Sequence, residues 1–385
     1  MGNIFDYLEW RGDLSLKNDP LNNADLLILA RISNLPFDGI LSDSYYDRIT
    51  IKDAAKTYLD APEKFKKPLQ KEDIKLLKHL AESQRFANLK MFAYQNILDD
   101  KLQIQFAALI VELESNLHYI SYRGTDYSLT GWQEDCNMYY MFPVPSQVRA
   151  VEYLEKAAKK LSGKFILGGH SKGGNLAVYS AAFCNESIKS KILDVYNYDG
   201  PGFNKKTITQ KNFTQIKSRI HTYIPQSSII GMMFEHCESY TIVKSNQKGF
   251  LQHDIFTWEI KQKNFEILNK MTDGSIFFDR TFTQFIDKMG LEERQKFIEV
   301  FFNLLKGTEG KTFDEIAHHW RQSTTALLKT IKNTDNKDLS VLTTTLLNFI
   351  KCAMNNFSDI NPLLKQNQDS KNKRLKQNKN IKNPK

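Results

Sequence analysis

Residues 168–175 read GGHSKGGN, so a GxSxG pentapeptide, Gly169 to Gly173, sits between the apolar run Lys164–Leu167 and the helix-like stretch Leu176–Phe183. A serine on such a strand-to-helix turn must adopt a strained backbone, and glycines two positions to either side let strand and helix approach closely. The strain lifts the Ser171 hydroxyl clear of the sheet, where a histidine can reach it. This pattern constrains the chain more than any other: it demands a strand, a sharp turn and a helix in immediate succession, and it implies a nucleophilic serine.

The surrounding periodicities agree with that demand. A helical pattern from Glu72 (Ile74, Leu76, Leu77, Leu80, Phe86, Leu89) leads into two strand-like runs, Ile104–Leu113 and Leu117–Ser121, joined at Glu114, Ser115 and Asn116. A helix is predicted from Pro145, with Val148, Val151, Leu154, Ala157, Ala158 and Leu161 on one face and Gly163 as its stop. Then come a strand at Lys164–Leu167, the elbow and its helix to Cys184, a strand at Ile192–Tyr198, a short helix near Thr209–Ile216 and a strand at Arg219–Ile224. Such alternation predicts an α/β fold: a mostly parallel sheet with helices on both faces. The expected organisation is an N-terminal segment packing on the core (1–74), a catalytic core (75–275), a C-terminal helical region (276–362) containing Phe282–Lys306 and Phe313–Phe357, and a disordered basic tail (363–385). His318 and His319, in the helical region, read as surface or packing histidines.

Serine is a weak nucleophile at neutral pH and needs a general base and donors for the oxyanion. The first donor expected is the backbone N–H of Lys172, at the start of the elbow helix. The second is expected from the loop Tyr122–Asp126 (YRGTD), which follows the second strand of the hairpin and offers the amide and hydroxyl of Thr125. Eight histidines are available. The chain order nucleophile, acid, histidine makes His253 the first choice of base, just before the strand-like Phe256–Ile260, and His236 the second. His170 is expected to point elsewhere on the turn, and His221 lies inside a strand. For the acid, Asp199 closes the strand after the elbow helix; Asp254 and Glu235 remain open, as does a base with no carboxylate. The next strand ends at Pro225, Gln226, Ser227 and Ser228, where an acid would be natural and none stands.

These motifs resemble the class 3 lipase pattern, and more closely the Mbeg-like group of bacterial lipase-like proteins. The resemblance rests on LEWRGDL (Leu8–Leu14), YRGTD, GWQED (Gly131–Asp135), GGHSKGGNLAVYSA (Gly168–Ala181), YNYDGPGF (Tyr196–Phe203), IPQSSIIGMMFEH (Ile224–His236) and His253, over about residues 1–300. It implies an α/β-hydrolase-like fold and esterase or lipase activity, with Ser171 as nucleophile, Thr125 as oxyanion residue and His253 as base. Class 3 lipases usually place the acid one strand later than Asp199. A Ser-His-acid acyl-enzyme mechanism on lipid or acyl esters is therefore the leading expectation, and a weak or inactive scaffold that binds an acyl ligand or a protein partner is the alternative. The apolar clusters Tyr139–Phe142 and Ile229, Ile230, Met232, Met233, Phe234 would serve as a lid or acyl groove, or simply as core.

Composition narrows the partners. The net charge of +9 collapses on inspection: residues 364–385 carry eight basic side chains against Asp369, leaving about +2 for the rest. Poor in apolar residues, that tail reads as a solvated segment, able at most to touch an anionic membrane surface; no specific nucleic-acid site is expected. No run reaches the roughly 18 apolar residues of a membrane span, and the acidic start (Asp6, Glu9) does not resemble a secretory signal, so a cytoplasmic protein is expected. Cys136, Cys184, Cys237 and Cys352 follow no metal or redox spacing. Neither cofactor nor metal is called for.

Overall fold

The computed structural model describes residues 2–35, 37–62, 68, 70–306 and 336–360. Helices α1 (Ile4–Arg11) and α2 (Asn23–Ile32) each open on a capping box, Asn3 with Asp6 and Asn22 with Asp25, in which side chain and backbone satisfy each other's free groups. Strand β1 (Ile49–Thr50), helices α3 (Ile51–Asp60) and α4 (Lys71–Glu82), and strands β2 (Lys90–Asp99), β3 (Ile104–Glu114) and β4 (Leu117–Tyr122) follow. Next come α5 (Leu129–Asn137), α6 (Pro145–Lys160), β5 (Lys164–His170), α7 (Lys172–Phe183), α8 (Glu186–Lys189) and β6 (Ile192–Tyr198). After α9 (Lys205–Ile208) and α10 (Lys211–Ile216) run β7 (Ile220–Pro225), β8 (Tyr240–Val243), β9 (Ile260–Lys261), β10 (Asn264–Phe265) and β11 (Ile267–Leu268). The last helices are α11 (Asp273–Asp287), α12 (Leu291–Lys306) and α13 (Asn336–Ile360).

Nine strands form one sheet in the order β1-β2-β3-β4-β5-β6-β7-β8-β11. From β4 to β8 every neighbouring pair is parallel; β1 to β4 and the β8–β11 edge are antiparallel. This is the expected α/β-hydrolase-like fold, with a parallel centre and antiparallel edges. Side chains in the centre alternate between two cores, as a strand period of two requires. Tyr119 and Ile166 join the core built with α1–α4, whereas Ile120, Phe165 and Leu167 join the one built with α6 and α7. Both faces are covered, so β5 is buried from Phe165 to its end and apolar from Phe165 to Leu167. A smaller cluster, Phe285, Met289 and Cys352, ties α11 to α13.

Several elements differ from the sequence-based expectation. The pattern predicted through Leu89 stops as a helix at Glu82, and β2 begins at Lys90 where no strand was expected. The helix near Thr209–Ile216 is two short helices, α9 and α10. After α6 the capping residue is Leu161, while Gly163, at φ +96°, makes the turn into β5. Of the expected strand Phe256–Ile260 only Ile260 is one, at the start of β9: Asp254 accepts from the Phe256 N–H at 3.0 Å and Thr257 Oγ1 donates to the Asp254 carbonyl at 2.6 Å, winding Ile255–Thr257 into a tight 3-10 turn. His318, His319, part of the expected helix at Phe313–Phe357 and the basic tail lie outside the described residues. Among the described residues, no helix is long and apolar enough to cross a membrane.

Candidate active site

The elbow forms where β5 passes into α7. Ser171 sits at φ +58°, a region L residues rarely occupy, and its N–H donates to the Tyr198 carbonyl of β6 at 2.9 Å, which holds the strained turn against the next strand. The flanking glycines serve close approach: a Cβ on Gly173 would lie 2.1 Å from the Tyr122 carbonyl oxygen, and one on Gly169 would lie 2.4 Å from the Gly173 backbone. With any larger residue, α7 could not meet β4 and β5.

Asp199 follows β6, also at positive φ (+52°), and is fully buried. Its Oδ2 faces His253 Nδ1 at 2.6 Å, while its Oδ1 accepts from the Ser228 hydroxyl and from the Gly231 N–H at 3.2 Å. The end of β7, which holds no acid, therefore contributes a donor to the acid of the neighbouring strand. Neither alternative carboxylate meets His253 in this way: Asp254 caps the turn that follows, and Glu235 is exposed, its backbone pairing with Phe203. His236 lies against Glu238 at 3.3 Å and the Gly231 carbonyl at 2.8 Å. Burial alone would lower its pKa, but Glu238 outweighs this and favours the charged ring, which cannot accept a proton. His221, on β7, pairs with Asp194.

His170 does not point away, as the sequence suggested. Its Nε2 lies 2.7 Å from the His253 carbonyl oxygen, and the two rings are 4.5 Å apart. Burial, reinforced by the neighbouring His253, pulls its pKa well below the ordinary value, so the ring is neutral and donates Nε2–H to that carbonyl.

The sequence model of the Mbeg1-like family matches residues 80–303, more than half of the chain. The chain belongs to the Mbeg1-like family. No curated protein matches it. Among solved structures, this Mbeg1-like chain is similar to a Rhizomucor miehei lipase propeptide complex at 16% identity and a TM-score of 0.30, over 40% of this chain and 57% of that one. It is also similar to the lipase of a fungal lipase–inhibitor complex (14%, TM-score 0.34, 58% and 80% of the two chains) and to M37 lipase (12%, TM-score 0.35, 54% and 68%). The chain thus spans less than two thirds of the first of these.

In the Mbeg1-like chain Ser171, Lys172, Thr125, His170 and His253 line a single cavity of about 500 Å³. The Thr125 hydroxyl donates to Asp135 Oδ2, so it is engaged within the loop. The Lys172 side chain turns under the loop, bonding Glu134 Oε2 at 3.0 Å and the Gln105 carbonyl at 2.9 Å, with Asp135 at 3.7 Å. Burial pulls the Lys172 pKa down, but Glu134 and Asp135 outweigh it and hold the ammonium above the ordinary lysine value. Burial pushes the Asp135 carboxyl up to about 6 against the opposing pull of Lys172 and Thr125. The apolar clusters divide: Tyr139, Ile230, Met233 and Phe234 line the cavity, with Tyr139 stacked on Phe234 at 4.4 Å, whereas Phe142 packs on Tyr179 and Phe183. Sequence reasoning missed Glu134, Asp135 and Ser228 as supports of the site. The GWQED segment was visible, but nothing in it signals a bond to Lys172.

Proposed function

We propose that this chain hydrolyses carboxylic esters through an acyl-enzyme on Ser171. The observation that carries the proposal is the conjunction at the cavity: a serine at φ +58° and a histidine whose Nδ1 faces a buried carboxylate at 2.6 Å. His253 Nε2 takes the Ser171 proton as Oγ attacks the ester carbonyl, and Asp199 stabilises the imidazolium that results. The N–H groups of Lys172 and Thr125 face the oxyanion, the first at a helix start where N–H groups lack intrahelical partners. Collapse of the tetrahedral intermediate expels the alcohol, which takes its proton from His253. Water then attacks the acyl-enzyme with His253 again as base, releasing the carboxylic acid and restoring the serine. No step requires a metal or cofactor, and the apolar cavity wall favours an acyl chain over a charged acid portion.

Ser171→Ala is expected to abolish turnover of p-nitrophenyl butyrate and labelling by a fluorophosphonate probe while leaving the circular dichroism spectrum unchanged. Retained turnover in the folded variant, or a wild-type serine that the probe fails to label, refutes the proposal.

A further inference from the structure

His236, the sequence's second choice of base, reaches back along its own segment instead of toward Ser171. Its Nε2 meets the Gly231 carbonyl oxygen at 2.8 Å, and its Nδ1 meets Glu238 Oε1 at 3.3 Å. Both side chains are buried, at 8% and 5% exposure.

We propose that His236, held as an imidazolium by Glu238, is a positioning residue for Asp199 and acts on it through Gly231. This role rests on the reading that Asp199 and His253 serve Ser171 in ester hydrolysis. Three observations carry it.

The first is that geometry fixes the protonation of the ring. Carboxylate and carbonyl oxygens accept and do not donate, so both ring nitrogens must carry hydrogen to satisfy Glu238 and Gly231 together. A neutral ring would turn a lone pair on one of them. Glu238 also accepts from the Thr222 hydroxyl and from the Cys237 thiol at 3.2 Å. Burial would lower the His236 pKa, but Glu238 outweighs it and holds the ring above the ordinary histidine value; burial would raise Glu238, but His236 and Thr222 hold it down at about 2. The other titratable groups facing the ring do not compete for its charge. Asp199, after β6, favours it; Tyr240, on β8, offers a ring edge at 6.3 Å; and burial pushes the Cys237 thiol up to about 12, keeping it neutral.

The second is that Gly231 is shared. Its N–H donates to Asp199 Oδ1 at 3.2 Å and to Ser228 Oγ at 2.9 Å, while its carbonyl accepts from His236. Having no side chain to anchor it, Gly231 is placed by these backbone bonds. With Oδ1 occupied, Asp199 presents Oδ2 to His253 at 2.6 Å.

The third is that the far end of this chain of bonds is fixed. The Gly202 N–H donates to the Met233 carbonyl at 2.9 Å, and Phe203 and Glu235 pair through both backbone bonds, at 2.8 and 3.0 Å. Thr222, on β7, ties Glu238 to the sheet. His236 thus closes the loop from 231 to 236 on a rigid base. Asp199 is fully buried, so a donor withdrawn from it is costly.

The test follows kcat on p-nitrophenyl butyrate across neutral and alkaline pH. In the wild type, kcat is expected to rise as His253 loses its proton and to fall again at alkaline pH as His236 loses its own. His236→Leu should lower kcat at neutral pH by about tenfold, the effect of one lost hydrogen bond, with little change in KM. His236→Gln, whose amide still donates to Gly231 but does not titrate, should recover most of that loss and show no alkaline fall. Glu238 loses its cation in both variants, so the difference between them reports the bond to Gly231. Wild-type kcat in folded His236→Leu, equal losses in the two variants, or an alkaline fall that persists in His236→Gln overturns the proposal; if the leucine variant does not fold, the pH profile of His236→Gln decides alone. The low-field proton resonance of His253 Nδ1, assigned by its loss in Asp199→Asn, reads the same geometry without turnover: it should shift in His236→Leu and stay in place in His236→Gln. If the wild type cleaves no ester yet the resonance follows this pattern, the positioning role stands and the hydrolase reading falls. If the ester is cleaved and neither kcat nor the resonance changes in His236→Leu, the positioning role falls and the hydrolase reading stands.

Discussion

Asp199→Asn isolates the charge behind the base with the least disturbance of shape. Asn occupies the left-handed region more readily than other substituted residues, so the φ of +52° at this position is retained. The geometry then dictates how the amide must sit. Turning its NH2 toward the Gly231 N–H and the Ser228 hydroxyl opposes donor to donor, so the carbonyl oxygen takes that side and the NH2 faces His253 Nδ1. Facing a donor, Nδ1 must become the acceptor, which moves the ring proton to Nε2, the atom that has to receive the Ser171 proton. The base is thus held in the wrong tautomer, and the imidazolium has lost its counter-charge. A loss of roughly 10⁴ in kcat is expected for such a change, or about 5 kcal/mol of transition-state stabilisation. Stability should fall by only about 1–3 kcal/mol, from the weakened charge-assisted bonds. Steady-state kinetics on p-nitrophenyl butyrate, with urea unfolding of the same preparation, measures both. A loss below tenfold in a folded variant refutes Asp199 as the partner of His253.

Three further outcomes are expected. Lys172→Met leaves Glu134 buried without its cation, and urea unfolding should show a loss of about 3–5 kcal/mol, much of it recovered when Glu134→Gln is added; no recovery would mean that the pair is not coupled. Asp135, held at about 6 in the fold against 3.8 for its ordinary value, takes up a proton on folding between those values, so its contribution to stability falls as pH rises from about 4 to 6; Asp135→Asn should flatten that part of the wild-type profile, and parallel profiles would refute the shift. His170→Phe should lower kcat by roughly tenfold, the worth of one buried hydrogen bond, with little change in KM, and His170→Gln should restore part of it through its own N–H; equal losses in the two variants would show that the Nε2–H bond to His253 is not what matters.

The elbow and the parallel centre were legible because they rest on local rules: glycine spacing, strand and helix periods, and chain order. What escaped the sequence depends on distant contacts or on broken periods. Strand β2 carries a register shift between Phe92 and Gln95, so its alternation fails midway and the run Lys90–Asp99 shows no clean strand signal. Strand β8 has only four residues. Phe256–Ile260 is rich in strand-forming residues, yet the Asp254 cap wins locally. The direction of His170 could not be read, because it adjoins a residue at positive φ, where strand alternation no longer says which way a side chain points. The contribution of Arg31 and Asn34 to the cavity was invisible because they lie in and just after α2, far upstream, in a stretch whose apolar pattern signals only packing.

The absence of an acid after β7 has a structural counterpart that changes its meaning. With the carboxylate after β6, the acid stays on the strand that neighbours β5, and Ser171 and Asp199 occupy adjacent strained turns, the Ser171 N–H bonding the residue just before Asp199. The segment after β7 then closes over the acid from above: Ser228 and Gly231 donate to Asp199, and a Cβ on Gly231 would fall 2.3 Å from Oδ1, so only glycine permits that approach. The same few residues continue into Ile230, Met233 and Phe234, the wall proposed to receive the acyl chain. Support for the base and shape of the acyl site are therefore written in one short segment. A substitution there that widens the groove is expected to shift the donors on Asp199 as well, so that a change in chain-length preference comes with a change in kcat.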